Sequence, residues 1–118
     1  PQEALSHYEM AMRLNPYPPQ WYYINLSRIY ILLGRYEESV TEMKKAIALS
    51  PNSVSAYSAL IVTYGAMGKE AEARAAAAEL LRINPKFSAE KYLKAMPYKD
   101  DAYPRLAAES LRKAGLLD

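Results

Sequence analysis

The chain has no cysteine and a single histidine, His7, among 118 residues. Disulfide staples are excluded, and a zinc site would have to rest on carboxylates, which zinc seldom accepts as its whole shell. The four glycines stand apart at positions 34, 65, 68 and 115, so no glycine-rich loop is available to cradle a phosphate. Neither sign of charge dominates. Net charge is +2, with eight basic and eight acidic side chains in residues 1–85 and seven against five in 86–118. A nucleic-acid-binding face needs concentrated basic charge, and this interleaving does not supply it. No apolar run approaches the roughly 20 residues that cross a bilayer, so no membrane segment is predicted.

What the chain does have is an internal echo. Tyr23, Leu26, Tyr30, Gly34, Glu38, Leu49 and Pro51 return 34 positions later as Tyr57, Leu60, Tyr64, Gly68, Glu72, Ile83 and Pro85. A fixed period of that length signals stacked copies of one small unit. Apolar residues make up 51% of the chain, ample for the core of one domain. The opening Pro1-Gln2-Glu3-Ala4 is neither a signal peptide nor an initiation site and reads as a cut inside a longer protein.

Apolar spacing predicts helices over Glu3–Leu14, Pro19–Leu33, Tyr36–Leu49, Ser53–Met67, Lys69–Ile83, Ser88–Ala95 and Asp101–Ala114. Each break has a chemical cause. Asn15-Pro16, Ser50-Pro51 and Asn84-Pro85 stop helices because the residue before proline is pushed out of helical angles. Gly34, Gly68 and Gly115 suit left-handed C-caps, while Ser53 and Asp100 or Asp101 suit N-caps. The units divide as a trailing half-repeat (1–16), repeats at 17–51 and 52–85, and degenerate capping helices at 86–118, all in one domain.

Catalytic chemistry finds little to work with. Glu37-Glu38 and Asp100-Asp101 are adjacent pairs, and neighbours on a helix point about 100° apart, so neither pair converges on one substrate atom. Helix-start electrostatics accounts for both. His7 has no second histidine or cysteine to work with. Most of the tyrosines fall at helical core spacing; Tyr8, Tyr30, Tyr36, Tyr57 and Tyr64 are expected to bury their rings with hydroxyls at the rim. Phe87 is expected to dock the capping helices onto the last full unit. No catalytic residue, metal ligand or cofactor site is predicted.

With Leu26, Tyr30, Gly34, Tyr36, Glu38, Ala46 and Pro51 in place, residues 1–85 resemble the tetratricopeptide repeat. Departures are mild: Ser27 and Ile61 replace a usual small residue, Glu70 an aromatic, and Leu80 an alanine. The resemblance implies an all-α, right-handed superhelical solenoid of antiparallel helix pairs, about seven helices in this chain. A narrower resemblance lies in the order Leu33-Gly34-Arg35-Tyr36-Glu37-Glu38, Leu81-Arg82-Ile83-Asn84-Pro85, then Pro97-Tyr98-Lys99-Asp100 leading to Leu111-Arg112-Lys113-Ala114-Gly115-Leu116. It is similar to the C-terminal tail of bacterial multidomain signalling proteins that carry a class III adenylate or guanylate cyclase domain. That resemblance implies a cytoplasmic regulatory or assembly module, with homodimer formation as the rival role.

In the repeat family the first helix of each unit lines the concave side. Here that implies a partner-binding groove of Trp21, Ile24, Arg28 and Ile31 from one copy and Ser55, Ser58, Val62 and Gly65 from the next. The 3-4-3 spacing keeps each set on one stripe. The expected partner is a protein or peptide, with Trp21 and Arg28 the leading contacts because interface hot spots favour those side chains. Family members that grip a C-terminal carboxylate do so with lysine, asparagine and arginine. Asn25 fits that pattern, but Ile24, Arg28, Ser55 and Ala59 hold the other places, so the activity is not implied here.

Overall fold

Glycine and proline punctuate the molecule where helices end, and the same cap recurs at the repeat spacing. In the computed structural model, residues 2–14, 19–96 and 102–117 are described. They form α1 (Gln2–Leu14), α2 (Gln20–Leu32), α3 (Tyr36–Leu49), α4 (Val54–Ala66), α5 (Glu70–Ile83), α6 (Ala89–Lys94) and α7 (Ala102–Lys113), with no strand among them. Gly34 and Gly68 adopt φ of +75° and +74°. Behind each, two amides fold back: Arg35 N–H donates to Tyr30 C=O (2.8 Å) and Gly34 N–H to Ile31 C=O (3.0 Å), repeated as Lys69 to Tyr64 (2.9 Å) and Gly68 to Gly65 (3.1 Å). This is the Schellman arrangement, which satisfies carbonyls that the helix end leaves bare. Gly115 closes α7 in the same way. Ser53 caps α4 by accepting from Ala56 N–H (3.2 Å). The helix stop expected at Asn15-Pro16 and the cap expected at Asp100 or Asp101 lie outside the described residues.

Short turns force α2–α3 and α4–α5 into antiparallel hairpins, and α4 stacks on α3, the solenoid arrangement implied by the period. The helices differ in how much of their surface is covered. α3 and α5 each bury one stripe, Ser39, Met43 and Ala46 in the former and Ala73, Ala77 and Leu80 in the latter. α4 is buried nearly all round, because α3, α5 and α7 all pack on it. Phe87 joins the main core and meets Tyr92 of α6 edge-to-face at 5.8 Å between centroids. Tyr30 is buried, while Tyr8, Tyr36, Tyr57 and Tyr64 are half-buried. The Cα radius of gyration is 13.6 Å, close to the ~13.5 Å of a compact body of this length. The principal extents are 42 × 29 × 25 Å.

One part of the core is polar. Ser27 of α2, Ser39 of α3 and Thr63 of α4 are all fully buried. Thr63 Oγ1 donates to its own helix at Ala59 C=O (2.8 Å) and stands 2.9 Å from Ser39 Oγ, which in turn meets Ser27 Oγ. Each hydroxyl has one proton, and two orders satisfy all three: Ser27 to Ser39 Oγ, Ser39 to Thr63 and Thr63 to Ala59 C=O, or Thr63 to Ser39, Ser39 to Ser27 and Ser27 to Ser39 C=O (3.4 Å). All three donors are satisfied, the condition for a buried polar chain to be tolerated.

Candidate functional site

The face expected to be the inner wall draws on the first helices of the two hairpins. α2 contributes Trp21, Ile24, Arg28 and Ile31; α4 contributes Ser55, Ser58, Val62 and Gly65. These eight positions do not make one open surface. Trp21 is 59% exposed. Ser55 is exposed and Arg28 half-buried. Ile24, Ile31, Ser58 and Val62 are buried. The Ser58 hydroxyl donates to Val54 C=O of its own helix (2.8 Å) and is not offered outward.

What covers the far half of the wall is the chain's own last helix. Tyr103 and Ala107 of α7 form one buried cluster with Ile31 and Val62. One turn further along, Ser110 Oγ donates to Val62 C=O (3.1 Å). Gly65 is the crossing point: a Cβ placed there would run into the Ser110 side chain and lie 2.8 Å from Ser110 Cα. A helix therefore lies against the wall where the sequence pattern led us to expect an open groove. The small residue at 65 and the serine at 110 are what let the two backbones approach. Neither residue carries a signal in sequence that names the other.

The near half remains open. His7, Tyr8 and Ala11 of α1 with Trp21 and Tyr22 of α2 line a shallow apolar cavity of about 240 Å³. Its floor is aromatic: the Tyr8 and Tyr22 rings are 4.9 Å apart, and Trp21 meets Tyr22 near edge-on at 6.3 Å. Burial pushes the Tyr22, Tyr30 and Tyr64 hydroxyls above their ordinary range, so they stay protonated at neutral pH. None is an activated nucleophile.

Among the carboxylates, Glu42 is buried and pairs with Lys45 at 3.3 Å. Glu38 takes a two-pronged ion pair from Arg35 (2.7 and 2.5 Å), and that hydrogen bonding holds its carboxyl below the usual range. The Arg35 guanidinium also lies 4.9 Å above the Tyr30 ring. Glu37 and His7 are exposed, and Asp100-Asp101 fall outside the described residues. Among the described residues, no group of three His, Cys, Asp or Glu side chains could hold a metal ion. Nor is any helix among them long and apolar enough to cross a membrane.

Comparison with known families agrees with this architecture. TPR repeats generally mediate protein–protein interaction, and TPR domains are typically non-catalytic. Residues 28–68, from the middle of α2 through α3 to the glycine that caps α4, match the family model for the TPR repeat, and the match supports a TPR domain in this chain.

Proposed function

We propose that this chain is a non-catalytic scaffold that binds a protein or peptide through the open half of its inner wall. Trp21, Arg28 and Ser55 would make the contacts, backed from beneath by Ile24 and Ser58; Ile31 and Val62, the other wall positions, lie under α7. The observation that carries this reading is the exposure of Trp21, 59%, beside an apolar cavity on an otherwise well-packed stack. A large aromatic left in water next to a recess is the usual form of an interface anchor. We further propose, on the resemblance of residues 97–118, that it serves as the C-terminal regulatory or assembly module of a bacterial cytoplasmic signalling protein of the adenylate cyclase kind.

The test is selection of a random 12-residue phage-displayed peptide library on the wild-type chain, followed by calorimetric titration of the recovered peptides. Trp21→Ala is expected to weaken binding roughly thirtyfold, the scale of an anchor residue, with helix content unchanged. Peptides that bind Trp21→Ala and wild type equally would defeat the assignment. A second reading, homodimer formation, is favoured by Met10 and Leu14, 56% and 81% exposed at the α1 end. Light scattering separates the two: a constant monomer mass across the micromolar range removes self-association.

A further inference from the structure

The two full repeats build the same corner with different contents. In the first, the Arg35 guanidinium lies 4.9 Å above the Tyr30 ring and forks through Nε and Nη2 onto the Glu38 carboxylate. Tyr30, Arg35 and Glu38 correspond, 34 positions on, to Tyr64, Lys69 and Glu72. The backbone that launches the cation is alike in both copies: φ and ψ are −94° and 67° at Arg35, −90° and 72° at Lys69. Only the side chain differs. Among the described residues, no basic group pairs with Glu72 or lies over the Tyr64 ring. Burial first, then Glu72 and Glu37, raises the Tyr64 hydroxyl, so the Glu72 carboxylate is close to that ring.

The surroundings differ in the same sense. The first repeat's cavity, over Leu26 and Tyr30, is lined by Arg13 and Lys45 and so carries its own cations. The second repeat's cavity, over Leu60 and Tyr64, holds about 250 Å³. There Glu79 replaces Lys45 and Ala76 replaces Glu42. Tyr57, Tyr64, Glu72 and Glu79 line it above an apolar floor, and no basic side chain is among its lining residues. Glu79 is held by Arg82 (2.9 Å); Glu72 is exposed. We propose that this cavity binds an arginine side chain of a partner protein, with its guanidinium over the Tyr64 ring and forked onto Glu72. The methylene stem would lie along Leu60 and Ala76. Arginine is preferred to lysine because a planar fork matches a carboxylate and stacks on an aromatic face, whereas an ammonium does neither. The cavity lies on the side of α4 away from α7: Leu60 and Tyr64 are each two residues from Val62, about 200° around the helix. It is therefore separate from the Arg28–Ser55 wall.

The probe is the blocked tripeptide acetyl-Ala-Arg-Ala-amide, titrated into isotope-labelled chain at fixed ionic strength and followed by amide NMR shifts. The lysine tripeptide and the citrulline tripeptide, which keeps arginine's shape without its charge, are run beside it. The arginine peptide is expected to give saturable shifts in the millimolar range, centred on Tyr64 and Glu72. The lysine peptide binds about threefold more weakly, and the citrulline peptide gives no saturable shift. Glu72→Gln, at an exposed position, is expected to weaken binding at least about threefold. Lys69→Arg restores the first repeat's arrangement and is expected to abolish binding by filling the cavity from within. Trp21→Ala leaves binding unchanged, so failure here and failure at the inner wall are read separately. Absence of saturable shifts, equal binding of the citrulline or lysine peptide, or full binding by Glu72→Gln or Lys69→Arg overturns the proposal. So does a peptide-free dimer that Glu72→Gln dissociates, because that outcome assigns the cavity to an arginine of a second copy.

Discussion

Replacing Gly65 by alanine sets two known effects against each other, and the packing of α7 decides the sign. In an open helix interior, glycine to alanine stabilises by about 0.5–1 kcal/mol, since alanine loses less backbone entropy on folding. At position 65 the added Cβ meets Ser110, with the Ser110 backbone Cα only 2.8 Å away. A backbone atom cannot swing aside as a side-chain tip can, so α7 must retreat as a body. Overpacking of this kind costs about 1–3 kcal/mol, and retreat also lengthens the bond from Ser110 Oγ to Val62 C=O, 3.1 Å in the native fold. The net expectation is destabilisation of about 1–2 kcal/mol. Urea titration followed by circular dichroism reads it as a midpoint lowered by about 1 M at an ordinary slope. Ser110→Gly in the same background relieves the side-chain part of the clash and recovers a fraction of the loss. If Gly65→Ala instead stabilises the chain by the amount propensity predicts, α7 does not cross α4 here and the account of a covered inner wall is wrong.

Thr63→Val keeps the shape of a fully buried residue but removes the hydroxyl that pairs with Ser39, and is expected to cost about 1–3 kcal/mol; Thr41→Val, on an exposed face of α3, serves as the near-neutral control in the same urea titration. Gly68→Ala meets no atom within 4 Å yet must hold φ near +74°, so it is expected to lose about 1 kcal/mol by backbone strain alone. Tyr30 and Tyr64 have hydroxyl pKa values raised by burial and then by nearby glutamates. The unfolded chain therefore ionises first, and stability fully present below about pH 10 is lost as pH rises towards the folded-state values. Tyr30→Phe and Tyr64→Phe should flatten that alkaline loss in thermal melts.

Local chemistry made the helices and their ends readable. Gly34, Gly68 and Gly115 reveal themselves because only glycine enters the left-handed cap freely, and Pro51 and Pro85 disfavour helical angles at the residues before them. Helices α3, α5 and α7 fall within a residue or two of the ends that spacing suggests. The inner wall was legible only as a stripe. Periodicity tells which residues share a face, but not which other helix covers that face. The offset that relates the two full repeats places the next first helix at α6, which spans only six residues. α7 packs on α4 in its stead, through a contact 48 positions apart, Val62 to Ser110, that no period encodes. Ser27 read as a mild departure from the repeat, and its role emerged only once Ser39 and Thr63 stood beside it.

That trio of hydroxyls has a mechanical consequence. Apolar ridges can slide a fraction of a turn past one another at little expense, but a hydrogen-bonded chain through three helices cannot. Shifting α3 along its axis would strand a donor in a dry interior, so the offset between neighbouring hairpins is pinned at one value. The setting of α2, α3 and α4 is in this way keyed by three small side chains, much as a dowel holds two boards against shear. Exchanging all three for alanine and valine would leave a chain free to choose its own pitch.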